Sequence, residues 1–240
     1  MVILKKIYLL AILNILILPK LYSQKYSFGV ELGYQWYSMT DLKDLNDYTF
    51  KQLPFDAKLT ENYPAFINYS PYIISRIHEF FSIGVKYTYY SSGSRISRED
   101  YSGKYIFDGK IKGHSPSIIM NFELWKLKKI SMSIFNEVGY IFSSLELNEH
   151  LVVGDVEITN EDYEFKSNNF YWNPAIQFDY PVYSPLNIKF GLKAGYHLDF
   201  YREGMKLDSN EDVVLKNTHQ EAAEANWSGV DFSLFITIGL

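Results

Sequence analysis

Asn226-Trp-Ser-Gly-Val-Asp-Phe-Ser-Leu-Phe-Ile-Thr-Ile-Gly-Leu240 ends the chain, and the way it alternates decides how the other residues are read. Val230, Phe232, Leu234, Ile236, Ile238 and Leu240 are apolar, whereas Gly229, Asp231, Ser233, Thr237 and Gly239 are small or polar; Phe235 alone breaks the period of two. A period of two is a strand with one greasy and one polar face. Chain ends ordinarily fray, so an apolar strand reaching the last residue is expected to be paired. A closed barrel does this by zipping its last strand to its first, which leaves no edge.

Working back from that strand, the same alternation recurs in Lys25 to Tyr37, Ala65 to Ile77, Phe81 to Tyr89, Lys110 to Leu124, Ile130 to Phe142, Asn168 to Tyr180 and Ile188 to Tyr201. Phe135 and Ile141 are blemishes in the fifth of these strands. The count is eight strands. Residues 38–62, 91–109, 144–167 and 203–223 lose the pattern and read as long polar loops, while 78–80, 126–129 and 181–187 are short turns. Long and short connections alternate strictly, which places the long loops at one end and the turns at the other. Outer-membrane barrels show this asymmetry, with short periplasmic turns and long external loops. The repeated Tyr69-Ser-Pro, His114-Ser-Pro and Trp172-Asn-Pro begin strands that leave a long loop, so the repeating unit is a hairpin. Proline has no ladder donor, and these three are expected at the outer rim of the barrel.

The polar face carries charges of both signs at Glu31, Arg76, Lys86, Glu123, Glu137, Asp179, Lys189, Lys193, Asp199 and Asp231, together with many Gly and Ser. The other face is large, aromatic and nearly uncharged. A lipocalin-like soluble barrel would turn that apolar face inward around a ligand; a membrane barrel turns it to lipid and keeps the polar set inside. Eight strands enclose a space about wide enough for their own side chains. The expected fold is an all-β, eight-stranded antiparallel up-and-down transmembrane β-barrel with four long external loops, short periplasmic turns, an interior polar network and no diffusion pore.

Composition agrees with export to an envelope. Aromatic residues make up 18% of the 240, with 21 Tyr and 17 Phe, and both strands and membrane interfaces favour them. Lys5 and Lys6 precede an apolar run from Ile7 to Leu18, and Ser23 precedes Gln24. That is the layout of a cleaved signal peptide over 1–23, too short to span a bilayer of ~20 helical residues; residues 24–240 form the barrel domain. Removing Lys5, Lys6 and Lys20 from the 23 basic residues leaves 20 against 28 acidic ones, which argues against a nucleic-acid partner. With no cysteine there is no disulfide framework, thiolate metal site or cysteine nucleophile. No metal-ligand spacing or cofactor fingerprint occurs.

The signal ending before Gln24, the opening Tyr26-Ser-Phe-Gly-Val-Glu-Leu-Gly-Tyr34, the Ser-Pro-x-Ile-Ile strands and the terminal Phe232 to Leu240 resemble the small outer-membrane β-barrels of the Bacteroidetes type, akin to the OmpA barrel domain and the PorT-like family. The resemblance spans residues 24–240. It implies outer-membrane lipid and lipopolysaccharide as surroundings, insertion by the outer-membrane assembly machinery, and envelope or secretion-complex proteins as partners. That machinery reads a last strand commonly ending in Phe, and this chain ends in Leu240. No peptidoglycan-binding domain is expected after the last strand. A structural or interaction role follows from this resemblance. Two other readings stand beside it. One is a lipid A deacylase or acyltransferase, for which His197 and Asp199, two residues apart on the inward face, are the candidate catalytic pair; no motif marks a serine nucleophile. The other is a secreted lipocalin-like binder.

Overall fold

The computed structural model describes residues 26–154, 156–183 and 187–239; the signal segment expected over 1–23 lies outside them. β1 (Tyr26–Gln35) pairs on one side with β3 (Phe66–His78) and on the other with the terminal strand β11 (Gly229–Gly239). β4 (Phe81–Asp100), β5 (Gly103–Leu127), β6 (Ile130–Val153), β7 (Val156–Tyr183) and β8 (Ile188–Arg202) follow as a meander, and β8 pairs with β11. These eight antiparallel strands close a ring. Stepping across it from Arg76 on β3 through Ser82, Asn121, Phe135, Ala175, Gly195, Asp231 and Gln35 leads back to β3 at Phe66, ten residues from the start. Such a stagger is what tilts the strands of a closed barrel. Three short strands lie outside the ring: β2 (Lys58–Asn62) beside β4, β9 (Lys206–Leu207) beside β7, and β10 (Asn210–Val214) beside β9.

Alternation sorts the side chains by face. Leu32, Val85, Leu192 and Leu234 are 57–60% exposed on the outside, while their neighbours Glu31, Lys86, Lys193 and Ser233 are buried. Phe235 breaks the sequence period because it points inward, and its register partner Gly191 leaves room for the ring: a Cβ on Gly191 would stand 2.0 Å from Phe235 Cζ. Gly29 serves Tyr72 in the same way on the neighbouring β1–β3 pair.

Three expectations are corrected. Residues 91–109 and 144–167 are not loops: β4–β5 and β6–β7 continue as ladders to turns at Tyr101–Ser102 and at Gly154. The reason is a swap of faces. Within the wall the apolar residues point outward, but above it Ile96, Tyr105, Ile111, Leu145 and Phe165 point inward and are buried, with polar residues outside. The apolar residues here cover the stoppered inside and the polar ones face out, so the amphipathic pattern inverts and reads as noise. The 38–62 loop contains a helix, α1 (Thr40–Gln52), as well as β2, and 203–223 contains β9 and β10. Finally, Pro71, Pro116 and Pro174 lie inside the wall, opposite Val30, Tyr87 and Asn136, and not at its rim. Each coincides with a gap in the ladder to the following strand, between Tyr69↔Tyr89 and Tyr72↔Lys86, between His114↔Phe142 and Ser117↔Gly139, and between Trp172↔Leu198 and Ala175↔Gly195. The missing donor therefore falls where no pair is made.

Candidate functional site

The interior is filled in three levels. At the short-turn end a polar vestibule of about 310 Å³ opens between Arg76, Glu123, Lys126, Asp179 and Lys189 and reaches up to Glu31. Arg76 stays half-exposed at its mouth, 3.6 Å from Glu123. Asp179 accepts hydrogen bonds from Gln177 Nε2 at 2.8 Å and Ser131 Oγ at 3.3 Å.

Above the vestibule is a chain of buried charges. Lys193 Nζ donates to Glu31 at 2.6 Å, and Lys86 Nζ donates to Glu31 at 3.1 Å and to Glu137 at 2.9 Å. The other oxygen of Glu137 accepts from Tyr171 OH at 2.7 Å and Ser117 Oγ at 2.9 Å. Two lysines and two glutamates so arranged neutralise one another, and each carboxylate is hydrogen-bonded, which is what makes charge tolerable in a water-poor interior. Lys193 also lies 4.6 Å from the centre of the Phe135 ring, a cation–π contact. Asp231 sits diagonally from Lys193 across the β8–β11 pairing.

The third level is an apolar stopper. Tyr90, Ile111, Ile141, Leu145, Phe165 and Tyr171 from the wall pack with Tyr37 and Met39 from the link between β1 and α1, with Leu42 of α1, and with Met205, Ala225 and Trp227 from the segment before β11. Polar ties hold it in place. Trp227 Nε1 donates to Ser143 Oγ at 2.9 Å, Gln35 Nε2 to the Trp227 carbonyl at 2.9 Å, and the Glu224 amide to Asp41 in the first turn of α1 at 3.0 Å. Burial at this level pushes the Tyr63 phenol up to about 12.

The residues expected to form a single interior network are thus divided. Glu31, Lys86, Glu137 and Lys193 form one hydrogen-bonded chain, with Asp231 beside it; Asp179, Lys189 and Arg76 line the vestibule. Arg76 was expected inside, but it stands three residues from the turn and its side chain reaches bulk water. Asp199 belongs to the stopper. His197 Nε2 lies 2.9 Å from Asp199 Oδ1, and the second carboxylate oxygen accepts from Asn169 Nδ2 and the Trp227 amide, each at 2.8 Å. The imidazole is fully buried, stacked on Tyr171 at 4.1 Å with Tyr90 at its edge. Among the described residues its Nδ1 has no hydrogen-bond partner. Phe135, Ile141 and Phe235, which fill the interior, were legible only as breaks in alternation; Met39, Leu42 and Met205 lie in segments where no period marks them.

Outside the ring, β4 to β7 continue as a four-stranded sheet. Its outer face is basic on β4 and β5, with Arg95, Lys110 and Lys112, and acidic on β6 and β7, with Glu146, Asp162 and Glu164. Arg95 pairs bidentately with Asp108 at 2.7 and 2.6 Å, and Lys112 with Glu146. At the tip, the Ser102 hydroxyl and amide, with Arg98 behind them, hold the Asp100 carboxyl down at about 2.

Comparison with known proteins returns likeness in fold alone. No protein-family model matches the sequence, and no curated protein does. Among solved structures, Neisserial surface protein A is 12% identical, with 90% of this chain and 97% of that one covered and a TM-score of 0.42. Ail, the attachment invasion locus protein of Yersinia pestis, solved with the heparin analogue sucrose octasulfate, is 10% identical over 90% and 99% of the two chains, TM-score 0.44. The outer membrane protein OprG of Pseudomonas aeruginosa is 7% identical over 90% and 95%, TM-score 0.44. With scores this low, the barrel assignment stands on the chain's own closed ladder.

Proposed function

We propose that this chain is an integral β-barrel of a bacterial outer membrane, with a structural or interaction role and no enzymatic one. One observation carries the reading: the outward face of the ring is apolar all the way round. Phe28, Val30, Leu32, Ile73, Val85, Ile118, Ile176, Leu192 and Leu234 are exposed there, and Tyr34, Trp36, Tyr69, Tyr87, Trp172 and Tyr196 stand among them. In water such a surface would aggregate. In a bilayer it is the lipid face, and its aromatics suit the interface. Among the described residues no helix is long and apolar enough to cross a membrane; it is the apolar outer face of the ring that supports crossing by strands. Lipid and lipopolysaccharide surround the band, the outer-membrane assembly machinery inserts it, and the β4–β7 sheet stands on the external side as a surface for envelope or secretion-complex proteins. The resemblance to Bacteroidetes-type, PorT-like barrels fits this role.

The hydrolase reading is disfavoured by the place of His197. A general base must meet both nucleophile and substrate, and this ring is sealed between two tyrosines under Trp227. The lipocalin-like reading needs an apolar cavity, whereas the interior here carries the Glu31–Lys86–Glu137 chain.

The test is fractionation and heat-modifiability. Closed membrane barrels resist cold detergent and change mobility after boiling. The protein is expected in the outer-membrane fraction with a boiling-dependent shift on SDS gels; a soluble protein without that shift would overturn the proposal.

A further inference from the structure

The sheet that rises above the ring has an open side. β7 is accompanied by β8 up to Asn169 and by β9 at Lys166 and Phe165, and beyond them the Asp208 amide donates to the Glu164 carbonyl at 2.8 Å. From Tyr163 back to Val156, among the described residues, β7 is paired with β6 alone. Peptide groups alternate direction along a strand. Because the Glu164 carbonyl points away from β6, so do the amides and carbonyls of Asp162 and Asn160. An edge of this kind is a template for another strand.

The charge around the edge says which strand it would take. Glu157, Glu161, Asp162 and Glu164 lie along it. In register across β6–β7, Glu146 faces Glu164 and Glu149 faces Glu161, and like charges directly opposite destabilise a sheet. Lys112 neutralises Glu146 and Lys166 approaches Glu164, but among the described residues no basic side chain forms an ion pair with Glu149, Glu161 or Asp162. Among the described residues Glu149 and Glu161 receive tyrosine hydroxyls, from Tyr105 at 3.1 Å and Tyr163 at 2.5 Å. Val156 and Ile158 are exposed beside them. Two copies of this edge would repel each other, whereas a strand alternating basic and apolar residues would meet both the acids and the aliphatics.

We propose that the Val156–Tyr163 edge of β7 receives an extended, basic segment of a partner protein as an added antiparallel or parallel strand, through main-chain hydrogen bonds at Asn160 and Asp162 and ion pairs to Asp162 and Glu157, which share the outer face with His150. This rests on the external placement of the sheet proposed above and names the chemistry of the partner. β-strand addition works this way, with main-chain bonds for affinity and side chains for selection.

The full-length protein in lipid nanodiscs is titrated with three synthetic peptides: one alternating Lys and Val, the same peptide N-methylated at every amide so that neither edge can donate, and an alternating Glu and Val analogue. The Lys–Val peptide is expected to bind, and to lose about tenfold or more in affinity when its amides are methylated or when the protein carries Asp162→Pro. That substitution removes an edge donor while the β6 ladder, made by the other peptide groups, stays whole. Equal binding of the methylated peptide, or no effect of Asp162→Pro, would reduce the edge to an acidic surface and overturn the proposal, as would failure of the Lys–Val peptide to bind at all. Should Asp162→Pro disturb folding, the methylated peptide on the unaltered protein still separates strand addition from simple charge attraction. Heat-modifiability is measured on the same samples. An intact shift without peptide binding sinks this inference alone, and loss of the shift in the unaltered protein sinks the membrane reading.

Discussion

Lys86 touches two carboxylates, and Glu137 has no other cation within ion-pair distance among the described residues, whereas Glu31 keeps Lys193. Replacing Lys86 by Met therefore strands one buried charge. Removing one partner of a buried pair costs about 3–5 kcal/mol, while removing both together is far milder. We expect Lys86→Met to lower the urea midpoint of unfolding from lipid vesicles by that amount of stability, and Lys86→Met with Glu137→Gln to recover most of it. A single variant as stable as the unaltered protein would reject the account. At this scale the sequence carried the charges and their face, but not their partners. Arg76 and Lys86 look alike in the alternating pattern; only their heights in the ring send one to the water at the vestibule mouth and the other to Glu31 and Glu137.

The elements that fill the half of the barrel away from the short turns come from segments with no readable period. α1 contributes only Met39 at its cap and Leu42 to the stopper, and the segment before β11 contributes Met205, Ala225 and Trp227. Single contacts separated by tens of residues leave no repeat in a sequence. Trp227 is the piece that joins them, packed edge-on to Tyr37 at 5.0 Å and bonded to Ser143 and, through its amide, to Asp199. Trp227→Ala should cost about 3–5 kcal/mol, as for other buried aromatics, read as a lower urea midpoint, with Ser143→Ala costing nearer ~1 kcal/mol for the lost hydrogen bond. Comparable losses in the two variants would mean that the indole's hydrogen bond, and not its packing, holds the stopper.

For the whole molecule, a ring with turns at one end and a projecting sheet at the other must sit in one orientation. The chain has no cysteine, so single cysteines report sidedness cleanly. Tyr101→Cys, at the fully exposed tip of β4–β5, is expected to react with a bulky impermeant maleimide on intact cells. Lys128→Cys, in a short turn, should react only after the outer membrane is opened. The reverse pattern would invert the barrel and remove the β7 edge from the cell surface.

What this sequence determined by itself was the eight strands, their amphipathic faces, and closure of the last strand on the first. All three follow from a period of two, which is local, and which, in the proposed setting, a bilayer enforces by wetting one face of every strand with lipid. The tertiary structure alone decided where that period changes sign. Above the lipid the outer face meets water and the inner face meets the stopper, so β4 to β7 run on as strands through residues that lack the expected pattern. It also decided which of the polar residues pair, because a stagger of ten residues around the ring brings Glu31, Lys86, Glu137 and Lys193, from four different strands, to one height.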